Sequence, residues 1–208
     1  MAQEDTIQTI NLEMRCPICH IGELIMIYKV SLIPYFGGIV LLTIKCNNCG
    51  LKITDVVAVS EKGNLPEKYE VKTYTENLGD LLVLSSGSKI EIPELDIELD
   101  ITGEQGGEIT TLEGLIMNII DMVKILLNDS EDKTRKKVIS IISTLKHEKE
   151  KPSGSLTIIL KDENRRSAVI PNDIWTKKAE DVRTQMMLLD EKSVRKIGQE
   201  IAKEKLEK

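Results

Sequence analysis

The chain's four cysteines stand in two C-x-x-C pairs, CPICH at 16–20 and CNNCG at 46–50. Thiols at this spacing can do three kinds of chemistry: form disulfides, shuttle electrons as a thioredoxin-like pair, or hold a metal. Disulfides persist in oxidising compartments, and the opening MAQEDTIQTINLEM lacks the basic and apolar regions of a signal peptide. The expectation is a cytoplasmic protein with reduced thiols. A redox C-x-x-C opens a helix after a strand, whereas each pair here leads into β-branched, strand-like sequence. A structural zinc site fits the spacing best. Two such turns present four thiolates, Cys16, Cys19, Cys46 and Cys49, which close a tetrahedral Zn²⁺ site and leave no position open for catalysis. Gly50 follows the second pair and tolerates the positive φ of such a turn. His20 holds the equivalent place after the first pair. With four thiolates in place, it reads as a surface residue beside the metal rather than a fifth ligand.

These pairs must be positioned by the 26 residues between Cys19 and Cys46. That gap holds two apolar runs, LIMIYKVSLI (24–33) and IVLLTI (39–44), separated by the turn signal PYFGG. Turn, β-hairpin and turn make a zinc ribbon, assigned to residues 1–52. Short β-branched runs follow over 53–101. In KIEIPELDIELDI the apolar phase slips by one residue, which predicts a bulge or bend at Pro93 and Glu94. The period then changes to that of a helix over 110–128, with Thr110 and Glu113 as a capping box. A second helix over about 131–148 completes an antiparallel hairpin. Strand pattern returns at 156–160 and 167–171. The hairpin at about 110–148 is therefore expected to interrupt a β domain spanning 53–171, to project from it, and to be dispensable for its folding. Residues 172–208 read as a charged helical tail with MMLL (186–189) as its apolar centre.

Composition narrows the function. The chain has 34 acidic and 28 basic residues, a net charge of −6, and only 3% aromatics. Around the ribbon Arg15, Lys29, Lys45 and Lys52 are isolated, and DKTRKK (132–137) reads as a solvated helix face. Nucleic-acid binding, which needs clustered cations or stacking platforms, is disfavoured. The longest charge-free run, VSLIPYFGGIVLLTI (30–44), falls short of the roughly 18 residues of a membrane span and contains proline and glycines. Only His20 and His147 could join carboxylates at an open metal site, and no nucleophile–base pair or phosphate loop is visible, so no enzyme is expected. The first hairpin helix is apolar nearly all round. Either the rest of the protein covers that excess, or it forms a partner-binding face. Met117, Ile120 and Lys124, at i, i+3 and i+7, mark the candidate face.

The landmarks CPIC, IPYFGGIVLLTIKCNNCG, LGDLLVLSSGSKIEIPELDIEL, GGEITTLEGLI and SLTIIL, in this order over residues 14–171, resemble the ZPR-type four-cysteine zinc-finger family. The resemblance implies a mainly β, α+β fold: a zinc ribbon, then a double-stranded β-helix carrying an inserted helical hairpin, here followed by a helical tail. Eukaryotic members carry two such modules in tandem, and this chain resembles the single-module archaeal version. The resemblance also implies one structural zinc and a partner, translation elongation factor 1-alpha, whose folding the family assists. Ribbon and hairpin would be the contact surfaces. The alternative is a zinc-ribbon nucleic-acid-binding or transcription-associated factor. His20 departs from the family's usual glycine.

Overall fold

The computed structural model describes residues 7–33, 36–60, 64–102, 106–127, 132–176 and 190–206. MMLL lies outside these described residues. The first unit is an antiparallel meander of four strands: β1 (Gln8–Arg15), β2 (Glu23–Ile33), β3 (Gly37–Cys46) and β4 (Lys52–Ser60). Alternation of apolar residues turns Leu12, Leu24, Met26, Tyr28, Val40, Leu42 and Ile44 to one face, where they are buried. The helix near the C-terminus, Glu191–Leu206, covers that face with Val194, Ile201 and Ala202. It approaches closely enough that a Cβ on Gly198 would lie 2.7 Å from Met26 Sδ and 2.8 Å from Leu12 Cδ2. The tail thus completes the ribbon core. It is also tied to the second unit, because buried Arg166 donates to Glu204 at 2.8 and 3.0 Å. β4 pairs with β3 along its whole length, so the expected boundary between 52 and 53 falls at the start of a ribbon strand.

The second unit is built from two antiparallel sheets. One has the order β5 (Lys68–Lys72), β10 (Thr157–Lys161), β7 (Lys89–Ile92), β8 (Ile97–Asp100). The other has the order β11 (Ala168–Ile170), β6 (Leu81–Leu84), β9 (Glu108–Thr111). Strands distant in sequence lie side by side, as in a jelly roll, the same architecture as a double-stranded β-helix. The phase slip near Pro93 has a specific cause. Pro93–Leu95 forms a 3-10 turn, Asp96 takes a left-handed conformation with φ 54°, and the chain folds back rather than bulging. Ile90 then pairs with Leu99 and Ile92 with Ile97, so even and odd residues share one face.

The hairpin consists of α1 (Leu112–Ile125) and α2 (Asp132–Glu150). The salt bridge from Lys149 to Glu113, 3.6 Å, joins the end of α2 to the start of α1 and makes the pair antiparallel. The cap differs from the capping box by one residue. Thr110 still pairs with Leu82 in the sheet, so Thr111 is the N-cap and accepts from the Gly114 N–H at 3.1 Å. The hairpin does not simply project from the β domain but packs into its core. Leu112, Leu115, Ile116, Ile119 and Ile120 of α1 and Leu145 of α2 share one core cluster with Leu82, Leu84, Ile90, Ile158 and Leu160 of the sheets. In the tail, α3 (Asn172–Trp175) is a single turn, and α4 is the ribbon-covering helix Glu191–Leu206.

Candidate zinc centre and interaction surfaces

The two cysteine turns meet at one end of the ribbon. The Sγ atoms of Cys16, Cys19, Cys46 and Cys49 all lie within 4.8 Å of one another. Cys16 Sγ is 3.7 Å from Cys49 Sγ, and Cys19 Sγ is 3.6 Å from Cys46 Sγ. A tetrahedral ion with Zn–S bonds of about 2.3 Å requires sulfurs about 3.8 Å apart, which these spacings match. Each turn is closed by backbone bonds: Cys16 N–H donates to Gly22 O at 2.7 Å, and Cys46 N–H donates to Leu51 O at 2.9 Å. Further N–H groups point at sulfur, from Gly22 to Cys19 at 3.4 Å and from Asn48 to Cys46 at 3.3 Å. Such donors stabilise thiolate.

The thiols' electrostatics fit the same ligand set. The N–H groups of Gly22 and Ile21 pull Cys19 down to about 6. Cys46 is likewise lowered, chiefly by the Cys49 N–H. The Leu51 N–H favours the Cys49 thiolate, but desolvation and the sulfurs of Cys46, Cys16 and Cys19 push that thiol up to about 11. Four sulfurs this close cannot all ionise without a cation between them. A divalent ion removes the conflict, and the four cysteines are positioned to bind one zinc.

Backbone requirements around the metal extend past the cysteines. Gly50 has φ 76°, as expected of the residue after the second pair, and His20 adopts φ 56° at the equivalent place. A non-glycine residue there carries a steric cost of about 1 kcal/mol. Gly22 was not singled out by the C-x-x-C pattern, yet a Cβ on it would lie 2.5 Å from Cys46 Sγ and 2.7 Å from Asn48 Cβ. Its place three residues after Cys19 is the signal that could have found it. Gly107, in the GGE motif, has a similar role between the two units: a Cβ there would meet Asp55 Oδ1 at 2.6 Å and Leu84 O at 2.8 Å.

The candidate partner-binding residues divide. Met117 is 45% exposed, and Lys124 is exposed with its ammonium 2.7 Å from Asp121. Ile120 is only 5% exposed and belongs to the core. Three residues of helix leave Ile120 about 60° round the axis from Met117. That offset carries it into the buried stripe of Ile116 and Ile119. The exposed apolar surface instead gathers at the far end of the hairpin: Met122 and Ile125 on α1, Leu126 at its C-cap, and Ile139 in the first turns of α2. The excess apolar surface of α1 is therefore half core and half open.

A second polar centre, invisible in the sequence motifs, fixes the hairpin's base. Glu148, 1% exposed, accepts from Thr73 Oγ1 at 2.5 Å, from Ser153 N–H and Oγ at 2.9 Å each, and from Ser155 N–H and Oγ at 3.1 and 2.8 Å. Burial alone would raise this carboxyl, but these donors outweigh it and hold it down at about 2. Among the described residues no helix is long and apolar enough to cross a membrane.

Comparison with known proteins agrees with this architecture. Residues 8–62 match the model of the ZPR1 zinc-finger domain, and residues 76–196 match that of the ZPR1 jelly-roll domain. An uncharacterized ZPR1-like protein of Pyrococcus horikoshii is 31% identical over 168 residues, 78% of this chain and 74% of that protein. One from Methanocaldococcus jannaschii is 29% identical over 74% of this chain and 78% of its own length. The zinc finger chaperone zpr1 of Schizosaccharomyces pombe is 34% identical over 44% of this chain, which spans 20% of that longer protein. The four-cysteine ribbon, the jelly roll and these relatives together place the chain in the ZPR1 family.

Proposed function

We propose that this protein is a chaperone-like binding factor that engages translation elongation factor 1-alpha and assists its folding. In this reading zinc supports the fold and takes no part in a reaction. The observation that carries it is the exposed apolar end of the hairpin, where Met122, Ile125, Leu126 and Ile139 are each 45–68% exposed. Methionine and aliphatic side chains on a rigid pair of helices suit a surface that must adapt to an incompletely folded client. The buried base of the hairpin and the Glu148 cage hold that end at a fixed place relative to the jelly roll. The name of the fission-yeast relative, a zinc finger chaperone, supports the class of activity. The identity of the client rests on the family resemblance.

The test is co-precipitation of purified elongation factor 1-alpha with the wild-type chain and with a Met122→Asp/Ile125→Asp variant. Both positions are exposed, so the variant should melt within about 1 kcal/mol of wild type, as surface changes do. The expected result is capture by wild type and loss of capture by the variant. Equal capture by both would remove the hairpin end from the interface. No capture by wild type would remove the client.

A further inference from the structure

The strand that delivers the first zinc ligand is irregular where α4 grips it. β1 pairs with β2 from Gln8 to Asn11 and again at Arg15, with a register shift between. In that gap Glu13 adopts a left-handed φ of 56°, a conformation costly for a residue with a Cβ. Its N–H donates to Asn11 Oδ1 at 2.7 Å. Bulges re-aim the residues beyond them, and Cys16 follows directly after Arg15, so the path of this stretch sets how Cys16 enters the metal turn. The middle of α4 holds it. Gln199 Nε2 donates to the Leu12 carbonyl at 2.8 Å, Arg195 forms an ion pair with Glu13, and Gly198 lets the helix backbone close on Leu12. Cys16 and Cys46 share one core cluster with Val194, Ile201 and Ala202 of the helix.

The last turn of the same helix is fastened to both units. The buried guanidinium of Arg166 in the jelly roll meets both carboxylate oxygens of Glu204, a two-pronged contact that fixes orientation as well as charge. The Arg166 carbonyl accepts from the Ala58 N–H of β4 at 2.7 Å. Lys205, the next residue, donates to the Thr54 carbonyl of β4 at 3.1 Å. Its ammonium lies 3.6 Å from Asp55 Oδ2, an oxygen with no hydrogen-bond donor among the described residues. The other Asp55 oxygen accepts from the Ser86 N–H of the jelly roll at 2.9 Å. Burial pushes the Asp55 carboxyl up and the Lys205 ammonium down. α4 thus brings a counter-charge to one buried ion on each unit, Asp55 in the ribbon and Arg166 in the jelly roll. Buried charges that lose a partner are costly, so these contacts favour one seated position over any partly seated one.

We infer that α4 is a strap that couples the zinc centre to the jelly roll: its middle positions the strand leading to Cys16, its last turn is seated by Arg166 and Asp55, and zinc binding and that seating strengthen each other. Gln199 is a positioning residue for the metal site, acting through Leu12 and the irregular stretch of β1. Glu204 acts on the same site from the jelly-roll side. The strap has two arrangements, seated and released, and both ends bias the balance between them, which is what coupling between separate sites requires. Such coupling is reciprocal. It links the metal to the two units of this chain and does not depend on which client the hairpin end binds.

The test is the zinc affinity of the full chain, measured by competition with a chelating indicator. Gln199→Met keeps the length of the side chain and removes the donor to Leu12. Glu204→Gln removes the charge that faces Arg166. Each should bind zinc about tenfold more weakly than wild type, within the usual range of coupling between sites. The double variant should lose less than the product of the two effects, because either change unseats the same helix. Thr73→Val is the control. It weakens the base of the hairpin, where Thr73 bonds Glu148 and Leu156, and should bind zinc as wild type does. Hydrogen exchange of the zinc-loaded proteins reads the opposite direction: Gln199→Met should speed exchange of the Arg166 and Ser167 amides, which donate to Asp162 at 2.9 and 2.7 Å. Wild-type zinc affinity in Glu204→Gln, fully independent effects in the double variant, an equal loss in Thr73→Val, or unchanged exchange at Arg166 overturns the coupling.

Discussion

The zinc turns and the Glu148 cage solve the same problem by different means. Each gathers backbone and side chains from segments far apart in sequence onto one centre. At the ribbon, four sulfurs from two turns converge within 4.8 Å, and the centre they require is a divalent ion. At the hairpin base, Thr73, Ser153 and Ser155 converge on a carboxylate that the protein supplies itself. The zinc centre couples folding to an external ion, with binding free energies of about 10–16 kcal/mol in small zinc-finger peptides. The carboxylate cage needs no ligand, but each of its bonds adds only about 1–3 kcal/mol, being hydrogen bonds to a charged group. The ribbon is thus held by one strong centre, and the hairpin by the sum of a cage and an apolar core.

That difference predicts a ladder of effects. The largest belongs to the metal. Cys46→Ser, or removal of zinc by a chelator, should abolish cooperative unfolding of the ribbon. Circular dichroism and the loss of about one zinc per chain would show it, while an unchanged melt would mean that α4 and the sheet suffice. Next comes the cage. The fall of the Glu148 carboxyl from 4.5 to about 2 corresponds to about 3 kcal/mol of stability at neutral pH. Glu148→Gln should lose most of it in urea unfolding. Because the folded-state value is depressed, this contribution is present above the unfolded value near 4.5 and is lost as pH falls through the folded value near 2. The stability gap between wild type and Glu148→Gln should therefore close over that window. A gap independent of pH would assign the loss to packing instead.

Smaller changes sharpen each side. Thr73→Val keeps the shape of the side chain, removes one donor to Glu148, and leaves the Leu156 N–H without its 3.3 Å side-chain acceptor. It should cost about 1–2 kcal/mol, well below the effect of Glu148→Gln. At the zinc end, His20→Gly relieves a left-handed φ of 56° and should stabilise the zinc-bound protein by up to about 1 kcal/mol. A destabilised glycine variant would show that the imidazole supports the turn. Equal metal content of the two proteins is expected, since four sulfurs complete the ligand set.

The contrast also explains what could be read from the sequence. Metal ligation demands one residue type at short fixed spacing, so Cys16, Cys19, Cys46 and Cys49 announce the ribbon. Strand and helix periodicity likewise announce the jelly-roll strands and the hairpin. A hydrogen-bonded cage has no such signature, because Glu148, Thr73, Ser153 and Ser155 are common types whose meeting depends on the tertiary fold. The same limit governs α1. Periodicity shows that it is apolar nearly all round but cannot say which side meets the sheets, so the spacing alone groups Ile120 with Met117 although Ile120 packs inward. The tail's charge pattern suggests a helix, yet only the structure shows Val194, Ile201 and Ala202 closing the ribbon core. In KIEIPELDIELDI the phase slip was visible, whereas the pairing of Ile90 with Leu99 was not.

In the proposed function a zinc-anchored scaffold presents the hairpin end to a client. Hydrogen–deuterium exchange of the zinc-loaded chain, alone and with purified elongation factor 1-alpha, tests it most directly. Protection is expected to concentrate at the end of α1, around Met122 and Ile125, at Leu126 just after it, and in the first turns of α2 around Ile139. Unchanged exchange at the hairpin end, with binding demonstrated in the same samples, would contradict it.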